Sequence, residues 1–226
     1  MREYCRKHIE GAWHYPDDRE PCPYCGSTAT RAQHRPDLGI RGYLGPGPVA
    51  IVSLWPSCDE HFKLDQAKNY YEILKKHGLE NAFQADVLNA SLEKHNATMN
   101  FDEQKALFQV QLEVVQPRVM LVMDSHSYPR RSGRGWAGMG PLRDVARHLE
   151  GDGFELKVHP EYRPNRPPYL AMTVKCKPPE ISEFAFDVYT IYHYTNLSSN
   201  RFATSAEEPQ AKWERRLSAV LSSIRQ

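Results

Sequence analysis

No run of apolar residues approaches the 18 or so that a membrane-spanning helix needs, and the opening MREYCRKHIE lacks the apolar stretch of a secretory signal. Both absences point to a cytoplasmic protein with no membrane partner. Net charge is nearly absent too. The 29 Lys and Arg against 28 Asp and Glu leave +1, so the chain is no polycation, and any affinity for nucleic acid has to come from local patches. Cysteine is scarce and odd in number: five, without secretory context, argue against a disulfide framework and for metal binding or reduced thiols. There is no internal repeat and no low-complexity tract. What is present is ordinary globular composition, 40% hydrophobic and 25% charged over 226 residues. That suffices to bury a core in one large domain, or in a domain with a small appendage, and excludes disordered, collagen-like and coiled-coil classes.

The first chemical signal is Cys5-Arg-Lys-His8 followed, thirteen residues on, by Cys22-Pro-Tyr-Cys25. Ligands two residues apart let one tight turn present two donors to a single ion, and a second pair completes a tetrahedron. Gly26 directly after Cys25 suits the close turn of backbone around a knuckle sulfur. The stretch from Ile9 to Pro21 is polar and contains proline, so the metal would be its main organiser. Cys58-Asp-Glu-His61 has the same spacing and is a rival for the first pair. A closed set of Cys5, His8, Cys22 and Cys25 implies structural zinc, which leaves no open position for catalysis. This gives a zinc-binding module and linker over residues 1–40 and a main domain over 41–226, with the Gly- and Pro-rich segment 36–48 at the boundary.

In the main domain, Val49–Leu54, Ala82–Leu88 and Val119–Met123 read as short buried strands. Residues 64–77 read as an amphipathic helix closed by Gly78. Asn100 and Glu103 form a capping box for a helix through Gln116 that Pro117 stops, and residues 139–150 form a further helix. After Gly153, Phe154–His159, Tyr169–Lys175 and Phe186–Tyr192 are strand-like between proline-rich turns. Glu207–Arg225 is a helix with Trp213, Leu217, Val220, Leu221 and Ile224 on its core-facing side. Alternating strands and helices predict a three-layer α/β/α domain with a central, mostly parallel sheet covered on both faces. Ligands in such sheets sit beyond the carboxyl ends of the strands. Those ends lead into Trp55–Phe62, Asp86–Asn89, Asp124–Trp136 and His193–Phe202, the chemically richest parts of the chain.

His193-Tyr-Thr-Asn-Leu-Ser198-Ser-Asn-Arg201-Phe202 resembles the H-P-S-P-L-S-x-x-R-G-F loop of the uracil-DNA glycosylase superfamily, matching at His193, Leu197, Ser198, Arg201 and Phe202, with Thr195 in place of serine. Ser53-Leu-Trp55-Pro56-Ser57 is similar to that family's motif after the first strand, Leu79–Leu88 to its base-reading strand, and Leu112–Val122 to the helix and strand that follow. The likeness covers roughly residues 45–226. It implies that His193 supports a departing base, that Leu197 wedges into the gap left by a flipped nucleotide, and that Thr195, Ser198 and Arg201 grip DNA phosphates. Phe62 or Trp55 would stack on the extruded base. The chain departs from the family where a water-activating Asp or Asn is kept, since Trp55 stands there. The nearest acids are Asp59 and Glu60, of which Asp59 is the expected one. The family's four-cysteine cluster pattern is absent.

Aspartate at position 86 falls where the family reads the base with asparagine. An amide can donate to uracil O4 and accept from N3–H, whereas a carboxylate only accepts and so favours the exocyclic amine of cytosine. Asn89 is the alternative reader. Arg130, Arg131 and Arg134, set among glycines and aromatics in the segment 128–136, form a local basic patch suited to phosphates, which Arg163 and Arg166 extend. The resemblance therefore points to a monomeric DNA glycosylase acting on a damaged or modified base, a cytosine derivative, in repair or in defence against hypermodified phage DNA. The alternatives are a uracil-DNA glycosylase with a rearranged acid and a catalytically inactive DNA-binding module of the same fold. A nuclease of the H-N-H type is disfavoured, because no H-H or H-x-N helix follows CPYCG.

Overall fold

A computed structural model describes residues 48–53, 70, 72–80, 82–87, 101–123, 130–132, 135–137, 141–151, 153–163, 166–177, 182–193 and 209–224. The expected zinc module, residues 1–40, lies outside them, as do residues 54–69 and 194–208.

The described elements are β1 (Val49–Ser53), β2 (Phe83–Asp86), α1 (Phe101–Val115), β3 (Val119–Met123), β4 (Arg130–Ser132), β5 (Gly135–Ala137), α2 (Pro141–Leu149), β6 (Phe154–Val158), β7 (Leu170–Cys176), β8 (Phe184–Ile191) and α3 (Pro209–Ile224). Six strands form one sheet in the order β2-β1-β3-β8-β7-β6. The ladders β1–β2, β1–β3 and β3–β8 are parallel, whereas β7 pairs antiparallel with both β8 and β6. The α/β expectation holds, but the sheet is mixed: a four-stranded parallel half continues into an antiparallel edge. Sequence patterning does not reveal the reversal, since β7 is as apolar as a parallel strand and its direction is set by the chain that returns it alongside β8.

Alternation along the strands divides the apolar residues between two cores. Ala50, Val52, Met120, Val122, Phe186 and Val188 meet Phe108 and Leu112 of α1 and Leu142, Val145, Ala146 and Leu149 of α2. Ile51, Val119, Leu121, Met123, Tyr189 and Ile191 meet Tyr70, Ile73 and Leu74 on one side and Trp213, Leu217 and Val220 of α3 on the other. Helices thus cover both faces of the parallel half. Positions 142, 145, 146 and 149 follow the i, i+3, i+4, i+7 spacing of a helix stripe. The same spacing in α3 puts Trp213, Leu217 and Val220 inside, at roughly 1.5–3 kcal/mol for each large side chain removed from water.

The helix ends follow local rules. Residues 72–76 are helical and finish in a Schellman motif. Leu79 N donates to Leu74 O (2.8 Å), Gly78 N donates to Lys75 O (3.1 Å), and Gly78 takes φ +72°, which costs a glycine nothing. Leu74 and Leu79 pack together in the same core, the apolar contact that accompanies this motif. Pro117 blocks continuation of α1 just after Gln116, which turns the chain at φ 47°. Pro141 and Pro209 open α2 and α3, where a missing N–H has no intrahelical partner to lose.

The arginine-rich segment, expected as a loop, contains a small antiparallel hairpin. Arg130 pairs with Ala137, Arg131 with Trp136 and Ser132 with Gly135. Only Gly133 and Arg134 separate the two strands, the shortest connection that antiparallel pairing tolerates.

Candidate functional site at the strand carboxyl ends

The parallel registers bring the ends of four strands into line. Ser53 lies opposite Asp86, Val52 opposite both Ala85 and Val122, and Val122 and Met123 opposite Thr190 and Ile191. Asp86, Ser53, Met123 and Ile191 therefore form one transverse row, spanning about 14 Å at the usual strand spacing of roughly 4.8 Å. The four chemically rich segments begin at or follow, along the chain, the strands that end in this row. Asp86 is the last residue of β2, and Val87 N donates back to Ser53 O at 3.0 Å, extending the ladder one step past it. His193 is the second residue after β8 and is half-buried. Arg130 and Arg131 sit in β4, downstream of β3. Trp55, Asp59, Phe62, Asn89, Arg134, Thr195, Leu197, Ser198, Arg201, Cys5, His8, Cys22 and Cys25 lie outside the described residues.

The best-defined constellation at this edge surrounds the exit of β8, and the motifs do not announce it. Arg216 of α3 is 2% exposed. Its Nε donates to Thr190 O (3.0 Å) and its Nη2 to Thr190 Oγ1 (2.7 Å). Its guanidinium carbon lies 4.3 Å from the ring centre of Tyr169 and 4.4 Å from that of Tyr192. The buried Tyr162 hydroxyl also donates to Thr190 Oγ1, at 3.1 Å. One turn earlier on α3, Trp213 Nε1 donates to Tyr192 O at 2.8 Å. Thr190 N in turn donates to Tyr169 O at 3.1 Å.

A guanidinium cannot shed its proton, so Arg216 is a buried cation. Among the described residues no carboxylate pairs with it, and its Nη1 is sealed from water without an acceptor. Taking such an ion out of water costs several kcal/mol. Hydrogen bonds from a charged group return about 1.5–3 kcal/mol each, and a desolvated cation–π contact about 2. The two oxygens of Thr190 and the two tyrosine rings therefore bring the cost near balance without an acid. The sequence does carry a signal for this residue. Position 216 falls three after Trp213 and four before Val220, so an arginine stands inside the apolar stripe of α3.

Arg163 and Arg166, expected to extend the basic surface, are both exposed and bridge each other across the turn after β6. Arg163 spends its Nη1 on the carbonyls of Pro160 (3.0 Å) and Tyr162 (2.7 Å), so it stiffens the turn. Among the described residues no group of His, Cys, Asp and Glu is arranged to hold a metal ion, and no helix is long and apolar enough to cross a membrane. No protein-family model matches the chain, and no curated protein matches it significantly. The likeness to the uracil-DNA glycosylase superfamily thus rests on the motif residues themselves.

Proposed function

We propose that the protein is a DNA glycosylase that flips a damaged or modified base, a cytosine derivative, out of the helix and hydrolyses its N-glycosidic bond. One observation carries the reading: the strands that precede the Trp55 motif and the His193 loop in the chain end in the same transverse row of parallel strands as the base-reading strand, with Asp86 in that row and His193 two residues beyond it. The reaction adds water across the bond between C1′ and the base nitrogen. Oxygen goes to C1′, a proton goes to the base, and the electron pair of the broken bond leaves with the base. Positive charge builds on the sugar and negative charge on the base. Asp59 would stabilise the sugar side and orient the water, while the imidazole of His193 would donate to the departing base. Asp86 would accept from an exocyclic amine, and Leu197 would fill the gap in the stack. Thr195, Ser198, Arg201 and the Arg130–Arg134 hairpin would hold backbone phosphates. The zinc assigned to Cys5, His8, Cys22 and Cys25 would only fold the leading module.

The test is incubation with duplexes carrying uracil, cytosine, 5-hydroxymethylcytosine or its glucosylated form, followed by alkaline detection of abasic sites. Cleavage at a modified cytosine, lost by roughly 10²-fold or more in His193→Ala and Asp59→Ala with DNA affinity retained, is the expected result. Abasic product from uracil alone would instead make the protein a uracil-DNA glycosylase. Product on none of them would favour a second reading, an inactive DNA-binding module. Trp55, standing where the family keeps its water-activating residue, speaks for that reading.

A further inference from the structure

We propose that Arg216 is a positioning residue: from α3 it fixes the exit of β8 and thereby the place of His193. The inference deepens the glycosylase reading and rests on it only for the rate, since the geometry concerns His193 whatever its substrate.

Strand β8 leaves the sheet at Ile191, where ladder hydrogen bonds with β3 cease. Beyond that point the backbone needs another support if the next side chain is to have one position. α3 supplies it beyond the exit at residue 192 and braces the strand just before the exit at residue 190. Arg216 takes hold of residue 190 by both carbonyl and hydroxyl, and Trp213 takes the carbonyl of residue 192. The ring of Tyr192, the residue bonded to His193, lies over the Arg216 guanidinium at 4.4 Å. A planar fork that donates in two directions while presenting its faces to aromatic rings is a task lysine cannot perform, because an ammonium is a point donor without a flat face.

Ordinary core packing does not account for this choice. An apolar side chain of similar length at position 216 would fill the space between the tyrosines without burying a charge, and such replacements of buried ions are often neutral or stabilising. Among the described residues the cation has no carboxylate partner, and it stands at the strand exit that leads to the motif histidine. Its contacts restrain backbone, and residues held this way are the supports that catalytic side chains need, since a displacement of about 1 Å can cost 10²-fold in rate.

The experiment follows the His193 imidazole by NMR in the full chain with isotope-labelled histidine, its signals assigned by their loss in His193→Gln. Arg216→Lys, Arg216→Met and Leu217→Ala are compared. Leu217 lies one residue along the same helix and is buried in the core that also holds Ile191, so its truncation loosens α3 while removing no hydrogen bond or cation–π contact to residues 190–192. The expected result is that both Arg216 variants shift or broaden the His193 signals, and that Leu217→Ala leaves them in place while lowering stability. Should the Arg216 variants fail to fold, Tyr169→Leu, which removes one ring from the guanidinium, is expected to move the same signals. His193 signals superposing on wild type in every folded variant that disturbs Arg216 would overturn the proposal, and so would an equal shift in Leu217→Ala. On a cleavable duplex the Arg216 variants should also lose roughly 10- to 100-fold in single-turnover rate with little change in DNA affinity. A wild-type protein that releases no base from any duplex removes the glycosylase reading, and the NMR comparison still decides the role of Arg216.

Discussion

Replacing Thr190 by valine tests the energetics at the exit of β8 without making a cavity, because the two side chains have nearly the same shape. Thr190 is 0% exposed, and its hydroxyl oxygen accepts from Arg216 Nη2 at 2.7 Å and from Tyr162 OH at 3.1 Å. Valine leaves both donors sealed from water. An unsatisfied buried hydroxyl costs about 1–2 kcal/mol, and a hydrogen bond from a charged donor is worth about 1.5–3. Against this, the added methyl returns about 0.8 kcal/mol. The expected net loss is roughly 2–4 kcal/mol, a shift of about 1–2 M in a urea midpoint at an ordinary m-value, with m unchanged. Thr190→Ser keeps the acceptor and should cost only about 1 kcal/mol for the lost methyl. In an Arg216→Met background, Thr190→Val should lose only the Tyr162 share, giving a coupling of about 2 kcal/mol in a double-mutant cycle. A valine variant within about 0.5 kcal/mol of wild type would refute the ledger. The guanidinium would then be held by the Thr190 carbonyl and the tyrosine rings alone.

Other outcomes follow from single groups. Burial of His148 between α1 and α2 holds its pKa below the usual value, helped by Arg147 and Lys105 against the Asp144 carbonyl that its Nδ1–H donates to at 2.7 Å. The unfolded chain then takes up the proton first, so stability is fully present above the unfolded value of about 6.5 and falls as pH drops through it, levelling below the folded value. Urea midpoints between pH 7.5 and 5 should show this slope, and His148→Gln should flatten it; an equal slope in the variant would clear His148. The Cys176 thiol, fully buried and pushed up to about 12 by desolvation and by Glu113, should escape an aromatic disulfide reagent in the native protein and react once urea unfolds it. Native labelling of Cys176, located by peptide mass, would contradict that. Arg130→Gln with Arg131→Gln should lower the salt slope of DNA binding by about two units, and an unchanged slope would take the hairpin out of the interface. Metal analysis should find one zinc that Cys22→Ala with Cys25→Ala abolishes; zinc retained in that variant would dismiss the assigned ligands.

Much of the fold is legible because local rules and tertiary packing agree. Val119–Met123 reads as a strand from composition alone and is β3 to the residue, and Pro117 and Gly78 stop helices where their backbone chemistry requires. The direction of β7 is not legible, because periodicity fixes which side chains are buried but not which way the chain runs. The β4–β5 hairpin also eludes a sequence reading, since three residues per strand give no period to detect. Of the candidate site, the positions of Asp86 and His193 at strand ends could be foreseen from order along the chain. Arg216 could not be tied to them, because it meets its partners at positions 169, 190 and 192 only when α3 docks on β8.

The distribution of buried polar groups sharpens the point. Six polar or charged residues are buried: Ser53, Gln84, Asp144, His148, Thr190 and Arg216, counted among the described residues. Two of these belong to α2; of the other four, Ser53 and Thr190 stand at the carboxyl ends of their strands with Arg216 of α3 against Thr190, and Gln84 lies in mid-sheet, opposite Ile51. Ser53 ends β1, Gln84 stands two before the end of β2 and takes the Tyr70 hydroxyl at 3.3 Å, Thr190 is the penultimate residue of β8, and Arg216 rests on it. The amino-terminal halves of β1 and β3 are apolar throughout, as strands covered on both faces should be. A uniform requirement for stability would distribute such residues along the strands or exclude them altogether, since each costs free energy that an aliphatic side chain does not. The gathering of Ser53, Thr190 and Arg216 at one edge, in or next to the register row that carries Asp86, is the pattern expected when stability is conceded locally to keep polar groups beside a site.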